Sequence, residues 1–232
     1  MIRRILTSMA FIALLSVAFP LSAQTTTDNK PVAAKAQGDD DQIKKATEWV
    51  QLLSLNDAAK EARVTKVIAA HLVAIRNWNN EHPFTTVPAG INPTTGKPLN
   101  EMERQIIAVS AIPKTVHEEL MAGLHKELTD VQVEAILDKY TVGKVAFTLK
   151  GYQAIVPDLT PQEETTILGF LKQAREQAVD FKNMKQISAI FEIYKTKCEQ
   201  YLNSNGRSWR QLYKNYTDAI KAKKTADAAK AK

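Results

Sequence analysis

Seven apolar and aromatic residues between positions 187 and 202 constrain the fold more than any other feature of the chain. Ile187, Ile190, Phe191, Tyr194, Cys198, Tyr201 and Leu202 return at steps of three and four, with Lys195, Lys197 and Glu199 between them. That spacing lays the apolar side chains along one stripe of an α-helix, whereas a strand would scatter them over both faces. A stripe of this kind has to be pressed against another helix to leave water.

Similar stripes recur upstream. Ala46, Trp49, Val50 and Leu53 mark a first helix over 41–55. Ala62, Val64, Val67, Ile68, His71, Leu72, Ile75 and Trp78 mark a second over 57–79, with Asn56 as its N-cap. Shorter patterns follow from Asn100 and from Pro113. Further stripes run over 160–181 and 208–221, the latter carrying Trp209, Leu212, Tyr213, Tyr216 and Ile220. The β-branched and aromatic content of Val142–Leu149 leaves a short strand open there, with Gly143 and Gly151 as possible interruptions. The class implied is all-α, a single-domain bundle of about five to seven amphipathic helices.

Helix starts are written explicitly. Asn100 and Glu103 have capping-box spacing, as do Thr129 with Gln132 and Thr160 with Glu163; Pro161 occupies the first helical position of the last. Gly206 stands where a C-terminal cap needs a left-handed residue. Between 83 and 99 four prolines and two glycines break the pattern, giving a long loop that is a candidate functional surface.

The ends carry other information. Arg3 and Arg4 precede an apolar run from Ile5 to Phe19, and Leu21-Ser22-Ala23 precedes Gln24. This is the layout of a cleaved export signal over 1–23, so the mature chain is expected in the periplasm or outside the cell, with no membrane span after cleavage. The polar stretch 24–40 reads as a disordered linker, 41–221 as the helical domain, and the Ala/Lys-rich 222–232 as a disordered tail. The formal charge of +6 includes Arg3, Arg4 and the tail lysines, so the folded part is near neutral and nucleic acid is not an expected partner. One cysteine, Cys198, allows no internal disulfide, so packing alone holds the fold.

The sequence offers little catalytic chemistry. His117 and His125 are eight apart with Met121 between, and His117-Glu118-Glu119 opens like a zinc-protease motif but has Met at position 121. There is no Gly-x-Ser-x-Gly turn and no phosphate loop. No catalytic, metal or cofactor set is therefore expected. An enzyme would need two or three polar residues converging in a cleft. Aromatics beside amide and guanidinium groups are the pattern that stacks sugar rings and binds their hydroxyls. Arg76, Trp78, Asn80, His82, His125 and Tyr201 form the candidate ligand-binding set. A second aromatic group, Tyr194, Tyr201, Trp209, Tyr213 and Tyr216, clusters towards the C-terminus.

From Leu124 to about Tyr216 the chain resembles a secreted family known as domain-of-unknown-function family 3826. The resemblance is carried by Leu124-His125-Lys126-Glu127-Leu128-Thr129, Tyr152-Gln153-Ala154-Ile155-Val156-Pro157-Asp158-Leu159-Thr160, Ala174-Arg175-Glu176-Gln177-Ala178, Ala189-Ile190-Phe191-Glu192-Ile193-Tyr194-Lys195 and Tyr201-Leu202-Asn203. Lys139-Tyr140-Thr141-Val142 departs from the family's Asp-Gly-Met-Thr-like run. What the resemblance implies is a sugar-binding protein encoded among polysaccharide-degradation genes, with no catalytic residues. The two Leu-Thr-x-x-Gln/Glu starts are in addition similar to the motif of Spy-like periplasmic chaperones. The expectation is thus an exported, non-catalytic protein that binds an oligosaccharide or polysaccharide. The alternatives are an envelope chaperone and a polysaccharide-active enzyme.

Overall fold

A computed structural model describes residues 30–230. The expected export signal and the first part of the expected linker lie outside them. Within the described residues the chain forms nine α-helices: α1 (Lys30–Gln51), α2 (Ala58–Glu81), α3 (Glu101–Ser110), α4 (Lys114–Glu127), α5 (Asp130–Tyr140), α6 (Lys144–Ile155), α7 (Pro161–Ala178), α8 (Met184–Ser204) and α9 (Trp209–Lys230). A 3₁₀ turn spans Phe84–Thr86, and the one extended pairing among these residues is the isolated bridge between Ile91 and Pro98. No helix among them is long and apolar enough to cross a membrane.

The all-α class is as the stripes require, but the helix count exceeds the five to seven expected. The excess arises at Thr141–Gly143, where the chain divides into two short helices, α5 and α6, of 11 and 12 residues. The segment where a strand was an option is helical, because Gly143 takes a left-handed conformation (φ 66°) and restarts the helix immediately after α5. Two other boundaries move. Residues 30–40, expected as linker, belong to α1, so Asp39–Asp41 lie inside that helix rather than at its start. The Ala/Lys tail continues α9 to Lys230 with 221–229 exposed, as high helix propensity without an apolar face allows.

The caps form as written. The side chains of Asn100, Thr129 and Thr160 each accept from the backbone N–H three residues on, and Glu103, Gln132 and Glu163 reach back to complete the boxes. Both Leu-Thr-x-x-Gln/Glu starts are therefore employed as helix caps. On α2 the cap is Asp57, which accepts from the Lys60 N–H at 2.9 Å; Asn56 instead takes a left-handed φ of 55°.

Two apolar clusters hold the helices. One joins α1, α2, α4 and α5 through Ala46, Val50, Val64, Ile68, Leu120, Leu124, Ile136 and Leu137. Gly123 lets α4 approach α2 so closely that a Cβ there would lie 2.7 Å from Val67 Cγ1. The other joins α6, α7 and α8 through Tyr152, Ile167, Leu171, Ile187, Ile190, Phe191, Cys198 and Leu202. Burying each large side chain contributes roughly 1.5–3 kcal/mol. Cys198 is wholly buried, and burial pushes its thiol up to about 11, which makes it a packing group rather than a nucleophile.

The long loop is pinned rather than free. Arg104 donates to the carbonyls of Val87 and Thr85 and sits 5.5 Å over the Phe84 ring. Asn92 accepts from the N–H groups of Thr94 and Thr95, and its amide donates to Glu103.

Candidate functional site

The six candidate residues do not share one surface. Arg76, Trp78 and Asn80 stand two apart on α2, so at ~100° per residue consecutive members point roughly 200° apart. Arg76 faces α1, where its guanidinium donates to Asp39, and it also donates to Oδ1 of its α2 neighbour Asn77. The Trp78 indole N–H donates to the Ala108 carbonyl at 2.9 Å, and its ring stacks on His82 with centroids 3.7 Å apart. His82 borders a small cavity of about 230 Å³ with Asn79, Phe84 and Gln186. Asn80 accepts from Lys182 at 3.3 Å. His125, at the end of α4, is half exposed and 3.6 Å from Asp130. Tyr201 lies on α8 against the edge of Phe170. Trp78 and His82 are thus brought together, being one helical turn apart; Arg76, His125 and Tyr201 go elsewhere.

A larger aromatic surface lies between α6, α8 and the first turns of α9. Phe147, Tyr152, Phe191, Trp209, Tyr213 and Tyr216 line a groove of about 670 Å³. Phe147 is 77% exposed and Tyr213 50%, values unusual for such large apolar groups. Trp209 packs on Tyr152 and Tyr213 with centroids 5.1 and 6.1 Å away. The Tyr152 hydroxyl donates to the Lys195 carbonyl at 3.1 Å, which fixes the buried end of the floor. Gly151 leaves the α6 backbone bare inside the groove, and a Cβ added there would meet nothing within 4 Å.

The tight turn from α8 into α9 sets the third wall. Arg207 N–H bonds to the Leu202 carbonyl and Gly206 N–H to that of Asn203, with Gly206 at φ 83°. These two bonds are the C-terminal cap that a left-handed glycine permits. Arg207 then turns back onto Glu163 (2.7 and 2.8 Å) and Asp158 (3.0 Å), tying the start of α9 to the start of α7.

Charges surround the groove. Lys195 donates to both carboxylate oxygens of Glu192 at 3.0 and 3.1 Å. Burial pushes the Glu199 carboxyl up, against the opposing pull of Lys195. Lys144 lies 5.5 Å over the Phe191 ring, and Lys150 lines the opposite stretch of α6.

A second, polar cleft of about 520 Å³ opens between α3, α4 and the α7–α8 junction. At its wall the Asp180 carboxylate bonds His117 Nδ1 at 3.0 Å and, on the core side, His71 Nε2 at 3.0 Å. His71 Nδ1 meets the Tyr140 hydroxyl at 3.1 Å. A proton on Nε2 of His71 satisfies both contacts, with Nε2–H donating to Asp180 and the tyrosine O–H donating to Nδ1. The hydrogen bond to Asp180 raises the His117 pKa against the opposing effect of burial, and Glu176 adds to it from 3.8 Å. Burial alone would push the Asp180 carboxyl up; the hydrogen bonds from His117 and His71 outweigh it and hold it below its ordinary value. Burial pushes the Tyr140 hydroxyl far up. Among the described residues no group of three or more His, Cys, Asp or Glu side chains is placed to hold a metal ion.

The C-terminal aromatics stand out in the sequence, whereas Phe147, Lys144, Lys150 and Gly151 lie outside the candidate set. The available signal is Phe147 itself: once 144–155 is read as a helix, it falls off the stripe that Val145 and Tyr152 define. His71 and Asp180 had no such signal. They lie 109 positions apart and meet only through tertiary packing.

A family model described as a protein of unknown function (DUF3826) matches residues 40–222, which takes in the groove and the polar cleft. No curated protein matches the chain.

Proposed function

The chain belongs to the DUF3826 family, and from that premise we propose that it is an exported, non-catalytic carbohydrate-binding protein whose groove between α6, α8 and α9 receives an oligosaccharide. The observation that carries this reading is the exposure of Phe147 and Tyr213 beside Trp209 and Tyr216 around a bare helical glycine. Aromatic faces stack on the apolar faces of pyranose rings, and the flanking amines and carboxyls can hydrogen-bond sugar hydroxyls. Gly151 supports the reading, since a helix-interior glycine costs roughly 1 kcal/mol relative to alanine yet opens this wall.

Calorimetric titration of the mature protein against defined pectic and hemicellulosic oligosaccharides tests it. At least one is expected to bind, and Trp209 should report the event by fluorescence. Tyr213→Ala should weaken that binding about tenfold, as should Gly151→Gln, which fills the groove without touching the core. Absence of heat across the panel, or binding indifferent to both variants, overturns the proposal.

One observation favours a second reading, a polysaccharide-active enzyme: Asp180 orients the His117 ring at the wall of a polar cleft, the arrangement a general acid–base needs. Chromatography of the same oligosaccharides after incubation decides it. Products that appear with the natural chain and vanish with His117→Gln support it, and unchanged oligosaccharides count against it.

A further inference from the structure

We propose that the groove selects anionic oligosaccharides, chains that carry carboxylates such as those of uronate residues; this rests on the carbohydrate reading above. Each helix brings its own side chains to the groove. From α8 come Glu192, Lys195 and Glu199. Lys195 and Glu192 neutralise one another through two hydrogen bonds. Glu199 is half-buried and lies near Lys195, whose charge opposes the upward push of burial on its carboxyl. From α9 come aromatic rings alone: Trp209, Tyr213 and Tyr216. From α6 come Lys144 and Lys150. Lys144 rests on the Phe191 ring and Lys150 is exposed; neither meets a carboxylate within the described residues.

The groove therefore carries, on α6, two lysines without a carboxylate partner above an aromatic floor. They stand six residues apart, about 9 Å along the α6 axis. That span exceeds one sugar ring, so two ammonium groups at these positions meet carboxylates on separate residues of a chain better than they meet a monosaccharide. A neutral glycan would leave both charges idle, while an anionic one gains ion pairing whose strength falls with salt.

The test titrates the mature full chain with oligogalacturonate of defined length, with its fully methyl-esterified form, and with a neutral hemicellulosic oligosaccharide of similar size. The acid form is expected to bind at least tenfold more tightly than its ester at low ionic strength. That advantage should shrink several-fold at high salt and disappear in the Lys144→Gln/Lys150→Gln double variant. Equal affinity for acid and ester overturns the inference, as does a preference that survives the double variant. Binding of the neutral oligosaccharide with none of either galacturonate form also overturns it, and leaves the carbohydrate reading standing. Silence towards all three, and towards the wider panel, removes both.

Discussion

Glu163 and Asp180 are both carboxylates withdrawn from water, with side chains 7% and 17% exposed, and they are held in opposite ways. Glu163 receives two N–H bonds from Arg207 and one from the Thr160 backbone, which together bring its carboxyl down to about 2. Arginine does not lose its proton in this setting, so the contact is permanent over the whole working range of pH. Asp180 instead receives imidazoles, His71 from the core side and His117 from the cleft side. The charge of the His117 imidazole is set by pH. The first carboxylate is a fixed tie between the starts of α7 and α9. The second is an adjustable tie at the wall of an open cleft. What separates them is whether the partner can titrate.

The largest effect should come from breaking the fixed tie. Arg207→Met strands a nearly buried carboxylate with only its cap to satisfy it, and removal of one partner from such a pair typically costs a few kcal/mol. A loss of about 3 kcal/mol is expected in urea unfolding at neutral pH. Glu163→Gln should cost less, because Arg207 keeps Asp158 and glutamine can still cap Thr160. If both variants cost the same small amount, the contact acts as a surface ion pair and the contrast with Asp180 collapses. Acid titration gives a second view. Glu163 contributes stability above its ordinary carboxylate range near 4.5, and this is lost as pH falls towards about 2, a loss Glu163→Gln should not show.

Next in size is Asp180→Asn. The amide offers one accepting oxygen where the carboxylate offers two, and charge-assisted hydrogen bonds are replaced by neutral ones. A cost of about 2 kcal/mol is expected near pH 6, again from urea unfolding. A variant as stable as the natural chain would mean that Tyr140 and the surrounding apolar groups alone position His71.

The contrast also explains which features the sequence made legible. The Thr160–Glu163 box is local, three residues apart, and is readable because capping chemistry acts within one turn. The stripe on α8 is readable for the same reason: Ile187, Ile190, Phe191, Cys198 and Leu202 are all buried where their spacing puts them. Helix number is less readable, since α5 and α6 are divided by a left-handed pair, Val142 (φ 53°) and Gly143, of which only the glycine announces itself. Tertiary partners are not readable at all. Nothing near His71 points to Asp180, and nothing near Glu163 points to Arg207, 44 positions on. The ligand set fared accordingly: Trp78 and His82 meet because they are a turn apart, while the groove needs three helices that only packing assembles.

The smallest effect is the one that separates the two ties most cleanly, the pH dependence of His117→Gln. Because Asp180 accepts its Nδ1–H, His117 binds its proton more tightly in the folded chain than its ordinary value of 6.5. Its contribution is complete below about that pH and is lost as pH rises through the raised folded value. Asp180 works from the other side: its contribution is present above its ordinary value of 3.8 and is lost as pH falls through the lowered folded value. The pair therefore stabilises most in mildly acidic solution. The natural chain should exceed His117→Gln by about 1 kcal/mol at pH 5.5 in urea unfolding, with the gap closing towards pH 9. The same titration on Arg207→Met should show no such closing, since neither Arg207 nor Glu163 changes charge between those pH values. A gap in His117→Gln that stays constant from pH 5.5 to 9 would assign this histidine a packing role and make Asp180 as fixed a tie as Glu163.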